Sequence, residues 1–306
     1  MKNVIKLLSI LLFVSSVMFT SCDKKPVENE KDVASVTLNP STAMLALEDT
    51  LTLVVTVLPT TAVNKAVTWT SSDTLVATVN NGKVTAIKVG TATITVTTED
   101  GGKTASCLVT VSIRDGDGNV YKPITIGNQT WLLENLKTTK YNDGTTIALV
   151  NDNAAWASTT SAAFCWYGKN ESNKNVYGAL YNYYAVENGK ICPKGWRVPF
   201  VEDWVALIDA TGKEAGAGMN LKEEGTAHWL EGGTNQYGFT ALPGGQRLDD
   251  GTFEKLQSLA SFWTNLPIDQ NDSYCYYMKS DESTATKIVT NKKSGASIRC
   301  IKNDAQ

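Results

Sequence analysis

The residues able to do chemistry are few, and most are badly spaced for it. His228 is the one histidine of the chain, so any Ser-His-Asp or Cys-His arrangement would have to use it. Ala227 and Trp229 flank it in a stretch with neither helical nor strand period, and no G-x-S-x-G elbow is present. Neither a P-loop nor a dinucleotide fingerprint occurs. Glu223-Glu224 and Asp249-Asp250 are carboxylate pairs that could in principle hydrolyse a glycoside, but adjacent carboxylates in polar loops are normally just solvated. Asp115, Asp117 and Asn119 have the i, i+2, i+4 spacing of a calcium loop. However, Val120 stands where an EF-hand needs glycine and Ile126 where it needs a bidentate glutamate, so the segment reads as a turn. None of the six cysteines is in a C-x-x-C or zinc spacing. No catalytic site, metal or cofactor is expected, and the chain does not read as an enzyme.

At the N-terminus Lys2 and Lys6 precede an apolar run over residues 7–19, and Thr20-Ser21-Cys22 follows. A positive start, a short apolar stretch and small residues at the end make residues 1–21 a signal peptide. The run is shorter than the ~20 apolar residues a membrane span requires. The position of Cys22 resembles a bacterial lipobox, with Phe19 in place of the usual leucine and Thr20 a looser match. That resemblance implies a diacylglycerol on the Cys22 thiol, which would hold the mature protein on a membrane. Residues 22–32 carry charges of both signs and almost nothing to bury, and they read as a disordered tether. The expected location is the bacterial cell envelope at the outer membrane; Asp23 leaves the leaflet open. A net charge of -3 and a pI near 5.4 argue against a nucleic-acid partner, which a basic face would announce.

Residues 33–113 alternate with period two and are rich in threonine, valine and isoleucine. Residues 50–57 and 90–97 read as half-buried strands, and Asn80-Asn81-Gly82 reads as a hairpin turn. Short strands with turns between them and no helical stretch predict an all-β immunoglobulin-like sandwich. The run Val67-Thr68-Trp69-Thr70-Ser71-Ser72-Asp73, followed by Val76-Ala77-Thr78-Val79, Gly82-Lys83-Val84-Thr85-Ala86 and Gly90-Thr91-Ala92-Thr93-Ile94, resembles the group 2 bacterial Ig-like domain. In that family such modules mostly act as stalks or spacers. Trp69 shares a face with Val67 and reads as a core residue. Cys107 has no second cysteine in the module and reads as a buried free thiol.

Composition changes near Asp115: all eleven tyrosines and seven of the eight tryptophans lie beyond it. Within 114–303, several segments resemble the Fibrobacter succinogenes major paralogous domain. They include Ile126-Gly127-Asn128-Gln129-Thr130-Trp131, Tyr177-Gly178-Ala179-Leu180-Tyr181-Asn182-Tyr183-Tyr184-Ala185, Cys192-Pro193-Lys194-Gly195-Trp196-Arg197-Val198-Pro199, Tyr237-Gly238-Phe239-Thr240-Ala241-Leu242-Pro243-Gly244-Gly245 and Ile298-Arg299-Cys300-Ile301. The Gly-Trp-Arg-Val-Pro segment and the terminal Arg-Cys strand also resemble C-type-lectin-like folds, which implies an α+β head. That pattern implies a Cys192–Cys300 disulfide, while Cys165 and Cys275 could pair or remain buried thiols. Physically, Pro199 opens a helix reaching about Ala210, with Val201, Trp204, Val205 and Ile208 on its buried face. Phe200 stands where a serine or threonine cap is usual. A second short helix is expected over residues 213–222, and strands over 285–290 and 297–302.

A lipid anchor, a tether, an Ig-like spacer and an aromatic-rich head resemble the layout of bacterial adhesins, and imply a glycan or surface protein as ligand. The alternatives are a structural subunit of a surface assembly or a carbohydrate-active enzyme. The Glu-Pro-Asn and Gln-Pro-Asp motifs of calcium-dependent lectins are absent. In lectin-like folds the ligand face is built from loops, here residues 226–236, 247–253 and 265–274. These contribute His228, Trp229, Asn235, Gln236, Arg247, Asp249, Asp250 and Tyr274, a mixture of rings and hydrogen-bonding groups suited to sugars. Trp229 is either a stacking platform or a lid folded over the core.

Overall fold

The computed structural model describes residues 32–303; the signal peptide, Cys22 and most of the tether lie outside the described residues.

The first module contains β1 (Ser35–Asn39), β2 (Thr42–Ala46), β3 (Thr50–Thr52), β4 (Val54–Leu58), β5 (Val67–Ser71), β6 (Ala77–Asn80), β7 (Lys83–Ala86), β8 (Gly90–Thr98) and β9 (Thr104–Arg114). Its main sheet runs β9-β8-β5, with β2 parallel to β9 on the outer side. Alternation turns Ala92, Ile94 and Val96 of β8 and Cys107, Val109 and Val111 of β9 inward, where all are buried. They meet Leu45, Val84 and Ala86 in one core, closed on the other side by the sheet β3-β7-β6. This is the expected sandwich, in which each fully buried Val or Ile contributes roughly 1.5–3 kcal/mol.

The strand expected over residues 50–57 breaks in two at Leu53, whose N–H leaves the ladder and donates to the Gly82 carbonyl. Asn81 and Gly82 both have positive φ, as a two-residue hairpin turn requires. A Cβ on Gly82 would also sit 3.1 Å from the Trp69 ring. Trp69 is half-buried against the core, and Cys107 is a buried free thiol.

No linker separates the two regions. β9 runs on to Arg114, a turn follows, and β10 (Val120–Tyr121) pairs back with Arg114 and Ile113. Asp115 organises that turn: its carboxylate accepts from the N–H groups of Asp117 and Asn119, from Asn119 Nδ2 and from Tyr121 Oη. Ile113 at the end of the Ig sheet is buried in the core of the second region.

That region continues with β11 (Pro123–Ile126), β12 (Gln129–Leu132), β13 (Ala148–Leu149), α1 (Asn153–Ser158), β14 (Ala163–Cys165), α2 (Lys174–Tyr177), β15 (Leu180–Tyr181), β16 (Trp196–Arg197), α3 (Val201–Ala210) and α4 (Lys213–Leu221). It ends with β17 (Gln246–Arg247), β18 (Phe253–Glu254), β19 (Leu259–Pro267), β20 (Asp272–Lys279), β21 (Thr286–Asn291) and β22 (Ile301–Lys302). The sheet β11-β12-β22-β16 draws the two ends of the region together, and β19-β20-β21 forms a second antiparallel sheet. Between them lies an aromatic core in which Trp204 stacks on Tyr276 and meets Trp131, Phe239 and Phe262.

The buried stripe of α3 is Val201, Trp204, Leu207 and Ile208, while Val205 is 47% exposed. At about 100° per residue, Val205 stands one full step round the helix from Trp204, which sets the centre of the stripe; the expectation for Val205 was wrong. Phe200 offers no acceptor to the first turn, but the Asp203 carboxylate accepts its N–H at 2.7 Å, the return half of a capping box. Gly218 of α4 packs directly on the Thr284 carbonyl, which a Cβ would approach to 2.2 Å.

Cys192 and Cys300 form a disulfide across 108 residues. Cys165 and Cys275 lie apart, each a buried free thiol in a different part of the core. Burial pushes the Cys165 thiol up to about 11 and raises Cys275 well above the usual thiol range. The expected strand over 297–302 shortens to β22.

Candidate functional site

The three loops expected to form the ligand face do not converge. The Leu230 N–H donates to the Gln257 carbonyl, just ahead of β19, whereas the segment 265–274 begins in the last residues of β19 and turns at 268–271 beyond its far end. At about 3.3 Å per residue, that strand holds the two loops roughly 20 Å apart.

Trp229 is 2% exposed, its indole N–H donating to the Ala241 carbonyl at 2.9 Å. It is a core residue, and the platform alternative is overturned. Arg247 is also not a ligand residue. It is fully buried, 4.3 Å over the Trp156 ring and 4.7 Å over Phe253. Its guanidinium donates to the carbonyls of Gly251, Val150, Asn151 and Asp152 and to Asn153 Oδ1.

Asn235 is spent within its own loop, exchanging bonds with Thr240. Gln236 and Asp249 are exposed. Asp250 is exposed too, but caps its turn by accepting from the Thr252 N–H and hydroxyl. Tyr274 is half-buried on β20 under the Lys287 ammonium. His228 Nδ1 lies 2.9 Å from both oxygens of Glu223, with the Tyr177 ring edge-on at 5.8 Å.

A larger concavity lies where the two modules meet. A cleft of about 1070 Å³ has one wall from the Ig-like module, Leu47, Glu48, Ile87, Lys88 and Val89, and the other from Thr130, Gly195, Trp196, Arg197 and Lys302. It continues through Thr130, Lys302 and Asn303 into a second cleft of about 440 Å³ beside Asn128, Glu202 and Asp203 at the start of α3. Register explains the floor. Trp131 pairs with Ile301 on the face that meets the Trp204 core, while Trp196 and Arg197 of the edge strand β16, which pair with Lys302 and Ile301, both line the cleft. Alternation therefore points Thr130 and Lys302 away from Trp131 and Ile301, into the cleft.

Besides the β9–β10 hairpin, the Ig wall meets the head at Lys194 and Gly195. Lys194 Nζ reaches Asp49 Oδ1 at 2.8 Å, and Gly195 packs so closely on Leu47 that a Cβ there would be 3.1 Å from its methyl. Arg197 makes a two-bond pair with Asp203, and its guanidinium lies 4.9 Å over the Phe200 ring. Asn128, Glu202 and Lys302 are exposed, and their side chains make no hydrogen bond or ion pair among the described residues.

A model of the Fibrobacter succinogenes major domain matches residues 124–302. The chain belongs to that family. A bacterial Ig-like domain (group 2) precedes it at residues 32–109. Matches to individual proteins are about the size of one such module. An Ig-like virion protein of Serratia phage KSP90 is 49% identical over 82 residues, 26% of this chain and 32% of that protein. A Clostridium acetobutylicum protein is 48% identical over 80 residues, 26% of this chain and 8% of its own length. An alpha-L-arabinofuranosidase of Bifidobacterium longum is 55% identical over 65 residues, 21% of this chain and 6% of the enzyme. The chain thus spans at most about a third of these relatives.

In this Fibrobacter major domain the irregular loops are held by buried cations. Arg299, fully buried over the Phe239 ring, donates to Asn135 Oδ1 and to the carbonyls of Leu132, Phe239 and Thr240. Burial lowers it to about 9. Lys222 puts its ammonium among the carbonyls of Lys279, Ser280 and Glu282, 5.3 Å over Trp229. With Arg247 these make three sites where loop carbonyls take a side-chain donor in place of a ladder partner. The cleft residues were missed in the sequence because they come from separated segments. The one local signal was a polar residue alternating with a core residue, as in Thr130-Trp131 and Ile301-Lys302.

Proposed function

We propose that this protein is an exported lipoprotein, held at the bacterial cell envelope by diacylglycerol on Cys22, whose Ig-like module carries a C-type-lectin-like head that captures a glycan or protein. The observation that carries this reading is the order of parts: a leader ending at Cys22, a charged tether, an Ig-like module and the Fibrobacter major domain. Module-sized stretches similar to parts of this chain occur in an Ig-like virion protein and in an alpha-L-arabinofuranosidase, which fits a portable accessory unit. The short helix after Gly195-Trp196-Arg197-Val198-Pro199 and the pairing of early and late strands support the lectin-like reading of the head.

The head acts as a binder in this reading. Its one histidine is engaged by Glu223 in a partly exposed pair, with no nucleophile among the described residues arranged on it in the manner of a triad.

In a bacterial host, radiolabelled palmitate should enter the wild type and not Cys22→Ala, and protease added to intact cells should remove the head. Equal labelling of both proteins would end the lipoprotein reading. If arrays of glycans and of host matrix proteins capture nothing, the binder reading ends as well.

A further inference from the structure

We propose that the cleft between the two modules is the ligand site, that it takes a neutral polysaccharide chain, and that the Ig-like module supplies one wall of it. This rests on the binder reading above and moves the site away from the loops that the lectin-like resemblance implied.

The two clefts share Thr130, Lys302 and Asn303 and so form one trough, about 1070 Å³ and 440 Å³ in its two parts. That shape suits an extended chain better than a single small molecule. Its charges cancel. Arg197 is paired with Asp203, and Lys88 and Lys302 are balanced by Glu48 and Glu202. Such a lining does not select phosphate, sulfate or uronate. It presents ammonium donors, carboxylate acceptors and the amides of Asn128 and Asn303, which do both. Sugar hydroxyls, each a donor and an acceptor, match that mixture.

Beside Glu48 and Lys88, the opposite wall carries aliphatic side chains. Ile87 is 50% and Val89 42% exposed, a surface for the C–H faces of pyranose rings. A peptide adding as a strand fits less well, because β12 and β22 lie inside the sheet β11-β12-β22-β16 and their backbone groups are already paired.

The experiment uses the full chain on an array of neutral oligosaccharides (gluco-, manno-, xylo- and galacto-series), with affinities of the best binders measured by calorimetry. Lys302→Ala on the floor and the double variant Ile87→Asp, Val89→Asp on the Ig wall should each weaken binding at least tenfold. Their melting temperatures should stay within a degree or two, since all three side chains are exposed. Val63→Asp, at the opposite end of the Ig sandwich, should bind normally. Neutral glycan binding that none of the cleft variants alters would overturn the site and leave the binder reading intact. Loss with Lys302→Ala alone would overturn the role of the Ig wall. Capture of only anionic polymers or peptides would overturn the ligand class, and capture of nothing would remove the binder reading with it.

Discussion

The two modules satisfy their backbones in different ways. In the Ig-like module long antiparallel ladders, β8 on β9 above all, pair most carbonyls, and aliphatic side chains can fill the space between sheets. In the head many carbonyls belong to loops, and a buried carbonyl without a partner is costly. Arg247, Arg299 and Lys222 supply the missing donors, with aromatic rings over their cationic groups. A fold with short strands therefore imports charge into its core, whereas a fold with long strands has no need to.

Several measurements would break or sharpen this contrast. The largest effect is expected from Arg247→Met or Arg299→Met. Each strands several loop carbonyls whose bonds to a charged donor contribute ~1.5–3 kcal/mol apiece, so about 5 kcal/mol should be lost in urea unfolding followed by tryptophan fluorescence. Lysine at either position should not rescue, because it lacks the planar fork. A loss below about 1 kcal/mol would mean that the loops hold themselves.

Next comes the disulfide. Replacing Cys192 and Cys300 together by alanine should cost the head at most about 4.7 kcal/mol in the chain-entropy model. Denaturation with and without reductant should show the same difference, and the Ig-like module should not respond.

In the Ig-like module a buried polar atom should be poorly tolerated, since no loop stands ready to receive it. Cys107→Ser buries a hydroxyl in an aliphatic core and should cost about 2 kcal/mol, with Cys107→Ala milder. Equal stability of the serine variant and wild type would show unexpected room or water at that site.

Alkali should separate the modules. Burial raises Tyr276 to about 12 and holds Tyr121 and Tyr181 well above the usual phenol range. Unfolded tyrosine ionises near 10, so their contribution is complete below about pH 10 and is lost as pH rises toward 12 and above. All the tyrosines are in the head; the Ig-like module has only the raised Cys107 thiol to oppose it. Near-ultraviolet dichroism, dominated by the rings of the head, should collapse before the β-sheet signal. Simultaneous loss would show the shared β9–β10 hairpin coupling the two into one unfolding unit.

The smallest effect is expected at Asp49→Ala. Its pair with Lys194 is exposed, and such pairs contribute only ~0.2–1 kcal/mol. A larger loss would make that contact a true hinge pin between the modules.

Much of this architecture was legible before any coordinates. Alternating β-branched residues fixed the inward face of β8 and β9, Asn81-Gly82 set a hairpin, and apolar spacing with Pro199 placed α3, because each depends on neighbours a few residues away. The Cys192–Cys300 bond followed from resemblance to a family and not from spacing. What only the tertiary structure decided is which loop side chains face water. Trp229 is buried by Ala241 and Lys222, and Arg247 by a loop nearly a hundred residues earlier, contacts that no local period encodes. The trough is of the same kind: Lys88, Thr130, Glu202 and Lys302 become neighbours only when an Ig-like sheet and a closing strand pair meet, since a concave surface is a property of packed elements and not of any one of them.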